Sequence, residues 1–251
     1  MLTRKFFILL LLQIVSFSLT AQNTNLQSAT EAYSAGEYAK AAELYENALS
    51  TLGESARIYY NLGNAYYKMN QIPSAILNYE RALLLNPSDK DARFNLEIAK
   101  LQTVDKIDPV DRFFLSVWIE SLQNMFGTNT WSKIGIAAFL LLISSLVLFF
   151  FSRKIILKKI GFYTGIVWLA LTISANSFAY SQKQKLIDRN YAIIFAPTVT
   201  IKSSPDDSGN ELFLLHEGTK VLIKTKLKEW SEIQIASGDV GWIKNSYLEM
   251  I

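Results

Sequence analysis

Arg57, Tyr60, Asn61, Asn64 and Tyr67 recur along one short segment at helical spacing, so a helix would carry them near one another. An asparagine amide both donates and accepts, and a tyrosine adds flat apolar area with a polar tip. The chemistry on offer is recognition of a peptide backbone, and a merely solvated helix face remains the competing reading. Trp230, Trp242 and Tyr247 form a second aromatic set, readable as ligand anchors or as core. Reactive groups are scarce. The 251 residues include no cysteine and one histidine, His216, so familiar zinc sites and His-dependent triads are not assembled. There is no Gly-rich phosphate loop and no Gly-x-Ser-x-Gly elbow. Asp and Glu are scattered through both flanks, and spacing alone does not pair them. The expectation is a non-enzymatic protein with no cofactor and no metal. A net charge of +3 gives no footprint for nucleic acid.

The elements that would position the first set form an internal repeat. A 34-residue frame from Ala56 puts Tyr59, Leu62, Gly63, Tyr66, Ala75, Tyr79, Ala82 and Pro87 where a tetratricopeptide repeat (TPR) carries its signature. Gly63 and Ala75 are small where two helices cross, Tyr66 and Tyr79 fill the space beside them, and Pro87 stops the second helix. One period earlier, Ala29, Ala41, Tyr45 and Ala48 form a weaker unit with Gly36 at its turn. One period later, Lys90 to Gln102 reads as a polar-backed capping helix with Leu96 and Ala99 buried. This resemblance implies an α-solenoid over 22–104. Its concave side, lined by the first helix of each unit, would present Arg57, Tyr60, Asn61, Asn64, Tyr67, Phe94 and Asn95.

Two apolar runs flank a basic connection holding Arg153, Lys154, Lys158 and Lys159. Each run is long enough to cross about 30 Å of hydrocarbon as a helix. The expectation is a hairpin with spans at 133–152 and 160–180 and a cytoplasmic loop at 153–159. Residues 1–21 have the charged, apolar and small-residue parts of a secretory signal peptide, which would place both flanks outside. Residues 105–132 carry an aromatic-rich amphipathic stripe, suited to the membrane interface or to packing against the repeats. Within the second span Gly161 and Gly165 allow close approach, most simply by the first span.

After a linker at 181–190, short alternating runs separated by Ala196-Pro197, Glu217-Gly218 and Ser237-Gly238-Asp239 predict an all-β domain over 191–251. Trp230 followed by Gly241-Trp242-Ile243 is similar to bacterial SH3 domains. That likeness implies a closed SH3-like barrel.

The order of signal peptide, short TPR array, membrane hairpin and SH3-like domain resembles the BatE proteins of the bacterial aerotolerance operon. The resemblance implies a multidomain inner-membrane protein with both terminal domains periplasmic. It implies a scaffold in a stress-related complex with von Willebrand A-type membrane proteins and, indirectly, a MoxR-type ATPase. A cell-wall sensor that binds peptidoglycan through the SH3-like domain is the alternative.

Overall fold

A computed structural model describes residues 26–111 and 113–251. The expected signal peptide lies outside the described residues. The chain divides into two compact units, one holding the repeats and the C-terminal sheet, the other centred on Asp111–Arg189.

In the first unit, α1 (26–34), α2 (Tyr38–Leu52), α3 (Ala56–Lys68), α4 (Ile72–Leu85) and α5 (Lys90–Lys100) follow one another through short turns. Alanine at every close crossing explains the packing: Ala29, Ala41, Ala48, Ala65, Ala75 and Ala82 are fully buried, letting Tyr45 and Tyr79 fill the space between helices. Gly63 is needed for the same reason, since a Cβ there would stand 2.8 Å from the Tyr79 ring. The turn between α1 and α2 uses Gly36 at φ +81°, a backbone region glycine enters without strain. Asp89 caps α5 by accepting from the backbone N–H groups of Asp91 and Ala92. Leu96 and Ala99 are buried as the repeat register requires.

The strands β1 (Tyr191–Ile194), β2 (Thr198–Lys202), β3 (Glu211–His216), β4 (Lys220–Leu227), β5 (Trp230–Gln234), β6 (Val240–Lys244) and β7 (Leu248–Met250) form one antiparallel sheet. Its order is β3-β2-β6-β5-β4-β1-β7, with β3 and β7 at free edges, so the expected closed barrel is not formed. The opening lies between β3 and β7, and β7, only three residues long, offers little edge to pair. The sheet still curls on itself, because Leu215 of β3, Ile201 of β2 and Ala192 and Ile194 of β1 join one apolar cluster.

β1 departs from the alternation of a half-buried strand: Ala192, Ile193 and Ile194 are all inaccessible to solvent. Register explains it. Ile193 pairs with Lys220 on one side and Glu249 on the other, so the three side chains form a row on one face. Both ends of that row are held by α4: Lys220 Nζ donates to Glu80 Oε2 at 2.6 Å, and Arg81 donates to Glu249 Oε1 at 3.3 Å and to the Met250 carbonyl at 2.5 Å. The repeats therefore cover the outer face of β1. Residues 105–110, expected to start the amphipathic helix, also belong here, since Val110 N–H donates to the Ala236 carbonyl at 3.1 Å.

In the second unit, α6 (Phe114–Gln123) precedes α7 (Thr128–Phe151) and α8 (Ile155–Asp188). α7 and α8 pack as a pair and are long and apolar enough to cross a membrane. α8 begins at Ile155 and runs through Asp188, so Lys158 and Lys159 lie on its first turns and most of the expected linker is helical. Gly161 meets α7 directly: a Cβ there would stand 2.8 Å from both Phe149 N and Ser145 O. Ser145 and Thr164 hydroxyls hydrogen-bond at 3.0 Å beside it. At the other end, Gln182 Nε2 donates to the carbonyls of Gln123 and Phe126, and Trp131 Nε1 donates to that of Gln123. These bonds fix the end of α6 to the pair. Trp131 is consequently buried between Phe126 and Phe178.

Candidate functional site

The first helices of the second and third units place the predicted recognition residues on α3 and α5, and hydrogen bonds join only some of them. Asn64 Oδ1 accepts from Tyr79 Oη at 2.7 Å and from Asn95 Nδ2 at 2.8 Å. Asn95 Nδ2 also reaches Tyr60 Oη at 3.4 Å. Tyr67 Oη accepts from Gln102 Nε2 at 2.6 Å. Arg57 and Asn61 lie on α3 outside this network, and Phe94 stands on α5 with 65% of its surface exposed.

The network orients the amides. With Asn64 Oδ1 and Asn95 Nδ2 occupied, Asn64 Nδ2 and Asn95 Oδ1 have no partner among the described residues, leaving one donor and one acceptor side by side. An extended peptide backbone offers the complementary pair. Tyr79, absent from the predicted set because its ring fills the helix crossing, acts from beneath: burial and the neighbouring tyrosines push its phenol pKa up, keeping it a neutral donor to Asn64. Gln102 was also missed, because it follows the helical register at the end of α5.

On the sheet, Trp230, Glu232 and Gln234 alternate with the buried Ser231 and Ile233, which sets both tryptophans on the outer face. Trp230 pairs with Lys244, and Trp242 with Glu232. The Lys244 ammonium stands 5.4 Å from the Trp230 ring centre. Trp230 and Trp242 are thus partly exposed rather than core. Tyr247 is on a short 3₁₀ turn, 39% exposed, with its carbonyl accepting from Phe195 N–H.

Charged contacts join the sheet to the repeats and to the segment that follows them. Asp105 accepts from His216 N–H at 2.7 Å, meets His216 Nδ1 at 2.7 Å, and accepts from Thr219 Oγ1 at 2.6 Å. Burial opposes its ionisation, but these donors outweigh burial and hold its pKa below the usual carboxylate range. Burial likewise opposes ionisation of Glu80, and Lys220 and Lys100 outweigh it, again lowering the pKa. His216 thus has a structural role at the end of β3 that its sequence position did not reveal.

Comparison with known proteins covers the helical part. The tetratricopeptide repeat family matches residues 56–89, and a second TPR repeat description matches 31–70. The TPR domain of Sgt2 from Aspergillus fumigatus is 16% identical and aligns over 67% of this chain and 81% of its own at a TM-score of 0.31, too low to inform the arrangement. No curated protein matches. The repeat helices, their alanine-lined crossings and these matches together make residues 31–89 a TPR module, a non-catalytic fold for protein–protein interaction.

Proposed function

We propose that this protein is a non-enzymatic scaffold of a bacterial inner membrane. Its repeats and its sheet, read as an SH3-like domain, both face the periplasm. The observation carrying the binding role is the Asn64–Asn95 pair, whose open donor and acceptor are held in register by Tyr79 and Tyr60. A partner peptide would lie along α3 and α5, gripped by amides and flanked by Tyr67 and Phe94. Anchoring in one membrane raises the effective concentration of co-anchored partners, so modest affinity suffices for assembly. The resemblance to BatE proteins makes von Willebrand A-type membrane proteins the partners to test, with a MoxR-type ATPase engaged through them in stress tolerance. The test is co-purification with Tyr60→Ala, Asn61→Ala and Tyr67→Ala combined. Asn64 is spared because it accepts from the buried Tyr79 hydroxyl. Loss of membrane partners with an unchanged melting temperature supports the reading, and undiminished recovery removes the concave face from it.

A second reading has one observation in its favour. Trp230 and Trp242 share the outer sheet face with Lys244, an arrangement suited to stacking on glycan in a peptidoglycan sensor. Sedimentation of the detergent-solubilised protein with purified wall sacculi, lost on Trp230→Ala with Trp242→Ala, would favour it.

A further inference from the structure

Along α6 the large apolar side chains gather on one side. At about 100° per residue, Phe114, Leu115, Trp118, Ile119 and Leu122 fall within one arc of about 140°, and Ser116, Glu120 and Gln123 fall opposite, with Val117 the large apolar residue outside the arc. The chain leaves the arc bare. Phe114 is 74% and Trp118 66% exposed, and Gln123 is the helix's one buried residue. With ten residues, α6 falls short of the roughly 12–15 below which an isolated helix is marginal in water, and helices of this kind are held by packing an amphipathic face. That arc therefore needs a cover.

The contacts of the opposite arc point to which cover. Gln123 Nε2 donates to Ser181 Oγ at 3.1 Å, Gln182 Nε2 donates to the Gln123 carbonyl at 2.6 Å, and Glu120 meets Lys185 at 3.8 Å. Ser181 and Gln182 directly follow the uncharged run 160–180 of α8, whose 21 residues cover about 30 Å at a rise of about 1.5 Å each, the depth of a hydrocarbon core. α6 is thus pinned at the level where the run ends. Its charged contact, at Lys185, lies one turn further from the run, and the apolar arc is turned away from all three contacts. Phenylalanine and tryptophan on an amphipathic helix at that level suit the boundary between headgroups and acyl chains. Glu120 is the only charged residue on α6, so apolar burial, and not attraction to anionic lipid, supplies the contact.

We infer that α6 is a membrane-surface helix, seated with Phe114, Leu115, Trp118, Ile119 and Leu122 on a lipid bilayer that need carry no net charge, beside the point where α8 leaves it. The inference rests on the reading of α7 and α8 as membrane spans and adds a third point of contact with lipid.

The test uses the full chain, which lacks cysteine, in phosphatidylcholine nanodiscs, with one nitroxide label at a time on Leu115→Cys, Trp118→Cys, Ser116→Cys or Leu140→Cys. Leu140 is an exposed apolar residue of α7 and reports on the hairpin itself. Collisions with oxygen, which concentrates in lipid, are compared with collisions with a water-soluble nickel chelate. Oxygen should dominate at 115, 118 and 140 and the chelate at 116, and the pattern should be unchanged when phosphatidylglycerol is added. Two labelled positions on the arc keep the result independent of the loss of the Trp118 ring. Chelate dominating at 115 and 118 while oxygen dominates at 140 overturns the inference and leaves the hairpin standing. Shielding from both reagents at 115 and 118 assigns the arc to a protein surface and overturns it equally, as does a lipid-like pattern that appears only with phosphatidylglycerol. Chelate dominating at 140 removes the hairpin and this inference together.

Discussion

The two units of this chain use similar apolar side chains to opposite ends. In the first, Ile76, Ile193, Ile201 and Ile233 are wholly buried, whereas in the second Phe139, Val147, Phe150, Ile166 and Ile173 keep 50–69% of their surface exposed. Polar groups diverge in the same way. The first unit uses charged contacts, Glu80 with Lys220 and Arg81 with Glu249, to bind its sheet to its repeats. The facing parts of α7 and α8 rely on glycine and hydroxyl contacts, as at Gly161 and Ser145–Thr164. Exposed apolar surface on that scale is rare on soluble monomers. A helix satisfies its own backbone and tolerates hydrocarbon around it, while glycine and serine provide close packing where no hydrophobic force acts between helices. The difference is the one expected if the proposed membrane hairpin is right and one chain serves two solvents.

The largest test of this contrast is Ile193→Ala. Truncating a fully buried isoleucine costs about 2–5 kcal/mol. Because Ile193 lies between the sheet and α4, repeat and sheet should lose stability in one transition by circular dichroism; separate transitions would show that they fold independently. Glu80→Gln comes next, removing the partner of Lys220 and Lys100 at a cost of about 1–3 kcal/mol. It should lower the melting temperature of the first unit and leave the helicity of the hairpin unchanged.

Acid provides a graded version of the same test. Asp105 and Glu80 both have lowered pKa values in the folded state, so their stabilisation is full above the unfolded carboxylate range near pH 4 and is lost as pH falls through their folded values. Asp105→Asn should flatten the acid limb of the stability curve, and an unchanged limb would assign acid sensitivity elsewhere. The smallest effect belongs to the hairpin: Ser145→Ala removes the bond to Thr164 and should cost about 0.6 kcal/mol, as is common between helices in membranes. A loss several times larger would mean that α7 and α8 lean on polar contacts as heavily as the first unit does.

What could be read from the residues follows from how locally each feature is encoded. The repeat was legible because Gly63, Ala75, Tyr79 and Pro87 each do a job within one 34-residue frame. The apolar helices were legible from run length. Their ends were not, since Lys158, Lys159 and Ser181 to Asp188 are as compatible with helix as with loop, and tertiary bonds such as Gln182 to Gln123 decide. Sheet closure was illegible because it depends on pairing between distant strands, and β7 is too short to show periodicity. The same holds for the contacts of Asp105 with His216 and of Glu80 with Lys220, which span over a hundred residues. Spacing placed Tyr60, Asn64 and Asn95 near one another, whereas Tyr79 joins them only through what lies beside it in space.

The proposal that most needs a direct test is that α7 and α8 thread a bilayer with repeats and sheet on the same outer side. The absence of cysteine from the sequence makes this directly measurable. Ser34→Cys in the repeats, Ser208→Cys in the sheet and Arg153→Cys between the two apolar helices would each be treated with a membrane-impermeant maleimide on intact spheroplasts. The account predicts labelling at positions 34 and 208 at once and at 153 only after lysis; labelling at 153 in intact spheroplasts, with 34 and 208 protected, would contradict it.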